Sequence, residues 1–132
     1  MYTTATVNTM LDTAVTAWGT LSIALSTTVP VIDDAAASGV SGVTEPSGGS
    51  YARVSLPTTS WAAAADRIKA TNADVTFAAP TGDWGTVVAI VAYSGTTARF
   101  IALLDEEFTI TNGGDNLVIP SGTISIALPL EV

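Results

Sequence analysis

The chain has 132 residues, no histidine, no cysteine, four Lys and Arg against twelve Asp and Glu, and a formal charge of −8. That inventory removes the imidazole base of a Ser/His/Asp arrangement, thiol nucleophiles, disulfide frames and the usual structural zinc sites; it also removes the basic clusters that nucleic acid or an anionic membrane requires. Only 12% of residues are charged and 48% are hydrophobic, with a mean hydropathy of +0.47, so the surface is covered either by Ser and Thr or by other subunits.

A chain of this length buries about two thirds of its surface on folding, enough for one core, and a single domain over residues 1–132 is expected. The N-terminus lacks the basic start and apolar run of a signal peptide, and no stretch reaches the roughly 18 apolar residues of a membrane span.

Residues 1–17 read as a short amphipathic helix, because Val7, Met10, Leu11, Ala14 and Val15 recur at spacings of three and four, with Thr3 or Thr6 as cap. Leu21 to Ser26 alternates Leu21, Ile23 and Leu25 with Ser22, Ala24 and Ser26, the period of a strand buried on one face. Pro30 closes it. Residues 31–50 show no sustained pattern and read as an extended loop or arm, which at that length is either mobile or held by a partner.

Strand signals dominate from there on. Tyr51, Arg53 and Ser55 alternate with Ala52, Val54 and Leu56 up to Pro57. The stretch 61–70, with its alanine tetrad, reads equally as a helical turn or as a loop that packs Trp61 inward. Val75 and Phe77 lead to Pro80 and the turn Thr81-Gly82-Asp83. Thr86 to Tyr93 is nearly continuous in apolar and β-branched residues, as in a central strand. After a turn at Ser94-Gly95-Thr96, Ala98 to Leu104 reads as its hairpin partner. Glu107 to Thr111, Leu117 to Ile119 and Thr123 to Leu128 complete the series, separated by the turns Asn112-Gly113-Gly114-Asp115 and Pro120-Ser121-Gly122. The expected fold is all-β: an antiparallel β-sandwich or barrel-like domain of seven to eight strands, with a short N-terminal helix and a long loop or arm.

No motif carries catalysis. Asp105, Glu106 and Glu107 offer oxygen ligands of the kind Ca²⁺ takes, but without a D-x-D-x-D-G loop they read as a solvated connection between strands, as Asp33-Asp34 does. Twelve acids make glycosidase-like carboxylate pairs inevitable by chance, and no cleft is evident. The glycine-rich runs at 47–50 and 111–115 lack a following lysine, so neither is a phosphate loop. Trp18, Trp61 and Trp84 are better read as core or interface anchors than as a sugar platform. Arg53, a lone cation in an alternating segment, is expected to face solvent, to pair with an acid such as Asp83, or to cross an interface.

Several segments go beyond composition: a helix with Asn8 and Leu11, LSIALST at 21–27, GGSYARV at 48–54, TFAAPTGDWGTV at 76–87 and NGGDNLVIPSGTISI at 112–126. Together they resemble small structural proteins of tailed bacteriophages, a group that includes so-called tail fibre proteins and capsid cement or decoration subunits. The sharpest elements are Gly49 to Val54 and Gly82 to Val87. The segment Tyr93 to Ala98 is short and departs from the family pattern of an aspartate and glycines after the D-W-G-T block.

The resemblance brings no catalytic residues and no cofactor. It implies assembly: a virion subunit, foremost a cement or decoration protein that binds the major capsid protein on the outer head surface as a homotrimer, with a tail fibre or baseplate component as the alternative. A carbohydrate-binding module is a third reading. The candidate contact residues are Val31, Ile32, Val40 and Val43 in the arm, together with the N-terminal segment, while Tyr51, Arg53 and Trp84 support the site. Nucleic acid, membrane and small-molecule substrates are not expected partners.

Overall fold

The computed structural model describes residues 1–128. Its helix α1 (Thr4–Trp18) begins at Thr3, whose hydroxyl accepts the Thr6 N–H at 3.2 Å, and ends at Gly19, whose φ of 70° lets its N–H return to the Thr16 carbonyl. Val7, Leu11 and Val15 are buried, whereas Met10 is exposed, so the apolar stripe is narrower than the sequence spacing suggested. Polar groups dock the helix as well. Asn8 Oδ1 accepts the Arg67 N–H, and Asp12 Oδ1 accepts both the Ala64 N–H and the Lys69 ammonium, the latter at 2.7 Å. That ammonium holds the Asp12 carboxyl below its usual range.

Ten strands follow among the described residues: β1 (Leu21–Ser26), β2 (Val31–Ile32), β3 (Val40–Ser41), β4 (Val54–Leu56), β5 (Ile68–Ala70), β6 (Val75–Thr76), β7 (Gly85–Ser94), β8 (Thr97–Ile110), β9 (Val118–Ile119) and β10 (Ser125–Ala127). The excess over seven or eight comes from β2, β3 and β5, two- and three-residue pieces too short to show a period in the sequence, while two expected strands merge into β8. β4, β1, β7 and β8 form the main antiparallel sheet in that order; β10 pairs with β5, β2 with β3 and β6 with β9. The arrangement is mostly β and roughly sandwich-like, as expected.

The larger core lies on one face of the main sheet. Leu21, Ile23 and Leu25 of β1 meet Val87 and Ile90 of β7 and Leu56 of β4 there, with Val15 arriving from the helix and Trp61, Phe77 and Ile124 from segments beside the small sheets. A second, smaller core occupies the opposite face, where Ala24, Val91 and Tyr93 pack against Val40, with Val43 and Ile101 at its margin. β1 is therefore covered on both faces. Its small Ser22-Ala24-Ser26 face reads as polar alternation, yet Ala24 and Ser26 are fully buried.

Of the two readings of residues 61–70, the one that packs Trp61 inward holds: Trp61 is buried in the larger core and bridges Thr71, Ala65 bridges Ile68, and Asp66 and Arg67 turn the chain with φ of 51° and 67°, so no helical turn forms. Further expectations are corrected. Ala98–Leu104 and Glu107–Thr111 are not separate strands but parts of β8. The acidic trio is not a connection between strands, because Val87 pairs with Phe108 while Ala89 pairs with Leu103, so residues 104–107 bulge opposite Val88 alone. The 31–50 arm, finally, is not patternless. Its β2–β3 hairpin folds onto its own sheet, with Thr27 N–H bonded to the Thr44 carbonyl, Thr44 N–H to Ser26 Oγ and Ala98 N–H to the Ser38 carbonyl. These bonds run from backbone to Ser, Thr and backbone, which hydropathy does not register.

The two sharpest sequence elements meet face to face. A Cβ on Gly49 (φ +58°) would lie 2.9 Å from Gly82 Cα, and the contact is flanked by Thr81 N–H bonded to the Gly49 carbonyl and by Ser50 Oγ at 2.7 Å from Thr81 Oγ1. Gly49→Ala is expected to cost about 2 kcal/mol or more, combining left-handed strain with a backbone collision. Gly95→Ala, also at positive φ but with open space around it, should cost about 1 kcal/mol. Urea unfolding of the two variants checks the difference, and equal losses would mean that the close approach adds nothing.

Candidate functional site

Tyr51 and Arg53 come together around a residue that the sequence reading missed, and Trp84 packs against Tyr51. Glu45, at the end of the folded arm, accepts two hydrogen bonds from Arg53, Nε to Oε1 at 3.0 Å and Nη2 to Oε2 at 2.8 Å, and a third from the Tyr51 hydroxyl to Oε1 at 2.8 Å. This bidentate pair replaces the expected partner Asp83, which instead accepts the Asn112 N–H. The Arg53 guanidinium also lies 4.1 Å from the centre of the Tyr93 ring, reaching over the small-residue face of β1.

The Tyr51 hydroxyl has a second task. β4 pairs with β1 only as far as Val54 opposite Ile23, and the next N–H on that side, Leu25, donates to the Tyr51 oxygen at 3.0 Å. The side chain thus continues the ladder where the strand has ended. Its ring stacks on Phe77 at 6.4 Å and meets Trp84 edge-on at 5.4 Å, while Trp84 Nε1 donates to the Gly49 carbonyl at 2.9 Å.

Electrostatics follow from these contacts. The Arg53 hydrogen bonds hold the Glu45 carboxyl below its ordinary value, against the opposing effect of burial, with the Tyr51 hydroxyl assisting. Glu45 in turn raises Arg53. Burial pushes both the Tyr51 and Tyr93 phenols up. Both carboxylate oxygens are engaged by cationic or phenolic donors, so the cluster is built to fasten the arm to the sheet.

The arm residues divide. Val40 is buried and Val43 half-buried in the second core, where they hold the hairpin down, whereas Val31 and Ile32 are exposed, at 54% and 65%, beside Val29. Trp84 is 4% exposed and Trp61 is 5% exposed, which leaves neither indole a face for a sugar ring. Trp18 packs its ring 6.1 Å from Phe100. On the N-terminal segment, a shallow open hollow along α1 is lined by Thr6, Thr9, Met10, Thr13 and Ala14. Among the described residues no three acidic side chains gather as a metal site, and no helix is long and apolar enough to cross a membrane.

The sequence reading also missed the outer edge of β8. Leu103 and Phe108 are exposed there, and Phe100, Ile101, Ala102 and Leu104 are only half-buried. The available signal was the run FIALL, apolar at five successive positions, in a strand with a neighbour on one side only.

A family model described as Podophage GP4 fiber I protein gp80 matches residues 2–127. No curated protein and no solved structure matches the chain.

Because the folded Glu45 carboxyl lies below its ordinary value of 4.5, the stability it contributes is complete above that value and is lost as pH falls through the lower folded one. Melting curves from pH 7 to pH 2.5 should show the native protein losing stability at the acid end and Glu45→Gln losing less, from a lower starting point; parallel curves would remove Glu45 as a source. Tyr51→Phe, which strands the Leu25 N–H, should cost about 1–2 kcal/mol at neutral pH in denaturant unfolding.

Proposed function

As the chain belongs to the family described as Podophage GP4 fiber I protein gp80, a family of small structural proteins of tailed phages, we propose that this virion protein is a component of the tail fibre apparatus. The match over residues 2–127 carries the reading, since its description names a fibre. The capsid-cement role expected first has no support in that match, and the tail alternative takes its place. Other tail components and further copies of the same chain then replace the major capsid protein as partners, and the chain has no catalytic role.

Two physical features favour a part that works by shape and attachment. The Glu45–Arg53–Tyr51 cluster fastens the one long connection to the sheet, so the molecule presents a fixed outline. Its low charge and its exposed Val29, Val31, Ile32 and Leu103 leave apolar surface of the kind that neighbouring subunits cover. The buried Trp61 and Trp84 argue against the carbohydrate-module reading, because stacking on a sugar needs an open indole face.

Antibody-gold labelling of intact particles against this chain should decorate the tail and leave the head surface bare. Labelling confined to the head would overturn the proposal and restore the cement reading.

A further inference from the structure

The turn between β8 and β9 carries the dipeptide of this chain most prone to attack by its own backbone. Asn112 is followed by Gly113, whereas Asn8, Asn72 and Asn116 are followed by Thr, Ala and Leu. The side-chain carbonyl carbon of an asparagine is attacked by the backbone nitrogen of the next residue, and a side chain on that residue hinders the approach. Glycine offers no hindrance. Asn112 is also exposed, so water reaches it.

The folded turn nevertheless holds the reacting atoms apart. Gly114 N–H donates to the Thr111 carbonyl at 3.0 Å and Gly113 has a φ of 76°, while Asn112 has no positive φ, which makes residues 111–114 a type II turn. In such a turn the ψ of the first central residue, here Asn112, is roughly +120°. At that angle the Gly113 nitrogen is rotated away from Asn112 Cβ, whereas closing a five-membered ring requires the two to eclipse. A second restraint comes from the segment that precedes β7. The Gly113 N–H donates to the Pro80 carbonyl at 3.0 Å, and the Asn112 N–H donates to Asp83 Oδ1 at 2.8 Å. Both acceptors flank Gly82, whose approach to Gly49 fixes the arm. The attacking nitrogen is therefore pinned and its proton engaged.

We propose that Asn112–Gly113 is a latent deamidation site, closed by Pro80 and Asp83 in the native fold and released when segment 80–83 and the turn separate. In the opened turn the Gly113 nitrogen gives its proton to hydroxide and bonds to Asn112 Cγ. The bond from Cγ to Nδ2 then breaks, and the nitrogen leaves as ammonia after taking a proton from water. A further water cleaves either C–N bond of the succinimide ring, which leaves aspartate or isoaspartate at position 112. The change runs one way. A carboxylate at 112 adds a like charge where Asp83 already holds the backbone N–H and Asp115 lies three residues on. Isoaspartate also lengthens the backbone by one methylene, which displaces Gly113 from Pro80. A turn that has reacted no longer closes as before, so the chain keeps a chemical record of how often this joint has opened. The inference does not depend on the fibre reading.

The test uses the purified full chain, incubated at pH 8 and 37 °C and followed by peptide mapping with mass spectrometry. Replacement of the amide NH2 by OH at Asn112 should be at least about tenfold slower in native buffer than in guanidinium chloride, the ratio that local closure imposes. Asn8, Asn72 and Asn116 should react more slowly than Asn112 in the denatured chain. In native buffer Asp83→Ala, which frees the Asn112 N–H, should raise the rate at Asn112 at least about threefold. Asp12→Ala, which instead unfastens α1 from Ala64 and Lys69, should leave that rate within about twofold. Near-ultraviolet circular dichroism verifies that both variants are folded. Equal rates in buffer and denaturant, or a rate unmoved by Asp83→Ala, would overturn the inference. Equal acceleration by Asp12→Ala would overturn it as well, because the site would then open only with the whole fold.

Discussion

The approach of Gly49 to Gly82 is the constraint on which the rest of the structure depends. At that separation no side chain fits on either residue, and the arm is delivered to the sheet at a fixed point. Two residues downstream Tyr51 enters the core against Phe77 and Trp84, and two residues beyond the other glycine Trp84 returns a hydrogen bond to the Gly49 carbonyl. Once Tyr51 is placed, its hydroxyl serves both Leu25 of β1 and Glu45 of the arm. One backbone contact thereby sets the central sheet, the aromatic cluster and the covering of the second core.

Scarcity of charge shapes how this protein is held together. Only four Lys and Arg are present, and three are committed to internal fastening: Arg53 to the arm, Lys69 to the helix and Arg67 to the N-terminal backbone. Bidentate or partly buried pairs of this kind matter more than scattered surface pairs, because removing one partner leaves the other without compensation. Positive charge is consequently all but absent from the surface, which is left to Thr, Ser, Ala, exposed aliphatic residues and carboxylates.

The legible parts of the sequence were those with a local period or a local turn. Leu21–Ser26 emerges with the expected bounds, and the Val7, Leu11 and Val15 spacing locates α1. The hairpin of β7 and β8 follows from a β-branched run, a Gly-containing turn and an answering apolar run. What was not legible depended on partners distant in sequence. The Ser22-Ala24-Ser26 face looks exposed until Val40 and Val43 are known to cover it. Asp83 was as plausible as Glu45 for Arg53, since charge alone does not reveal that the arm turns back at residue 44. The bulge at 104–107 places three acids inside a strand, where alternation would end the element and begin another. The joining of GGSYARV with GDWGTV was visible only as two separate resemblances.

The position of β1 has a consequence in time. Both of its neighbours come later in the chain: Leu21 pairs with Leu56, and Ser22 and Ser26 pair with Tyr93 and Ala89. A ribosome adding 5–20 residues per second needs roughly 3–13 s to deliver β7 after β1 has been made. Throughout that interval the most apolar strand of the N-terminal half has at most the three-residue β4 beside it, and closing so long a loop to β7 is slow in itself. Nascent chains crowded on one message would therefore meet one another with the β7 side of β1 unpaired. In this protein the order of synthesis, as much as the strength of the finished core, decides whether strands find their own sheet before they find a neighbour's.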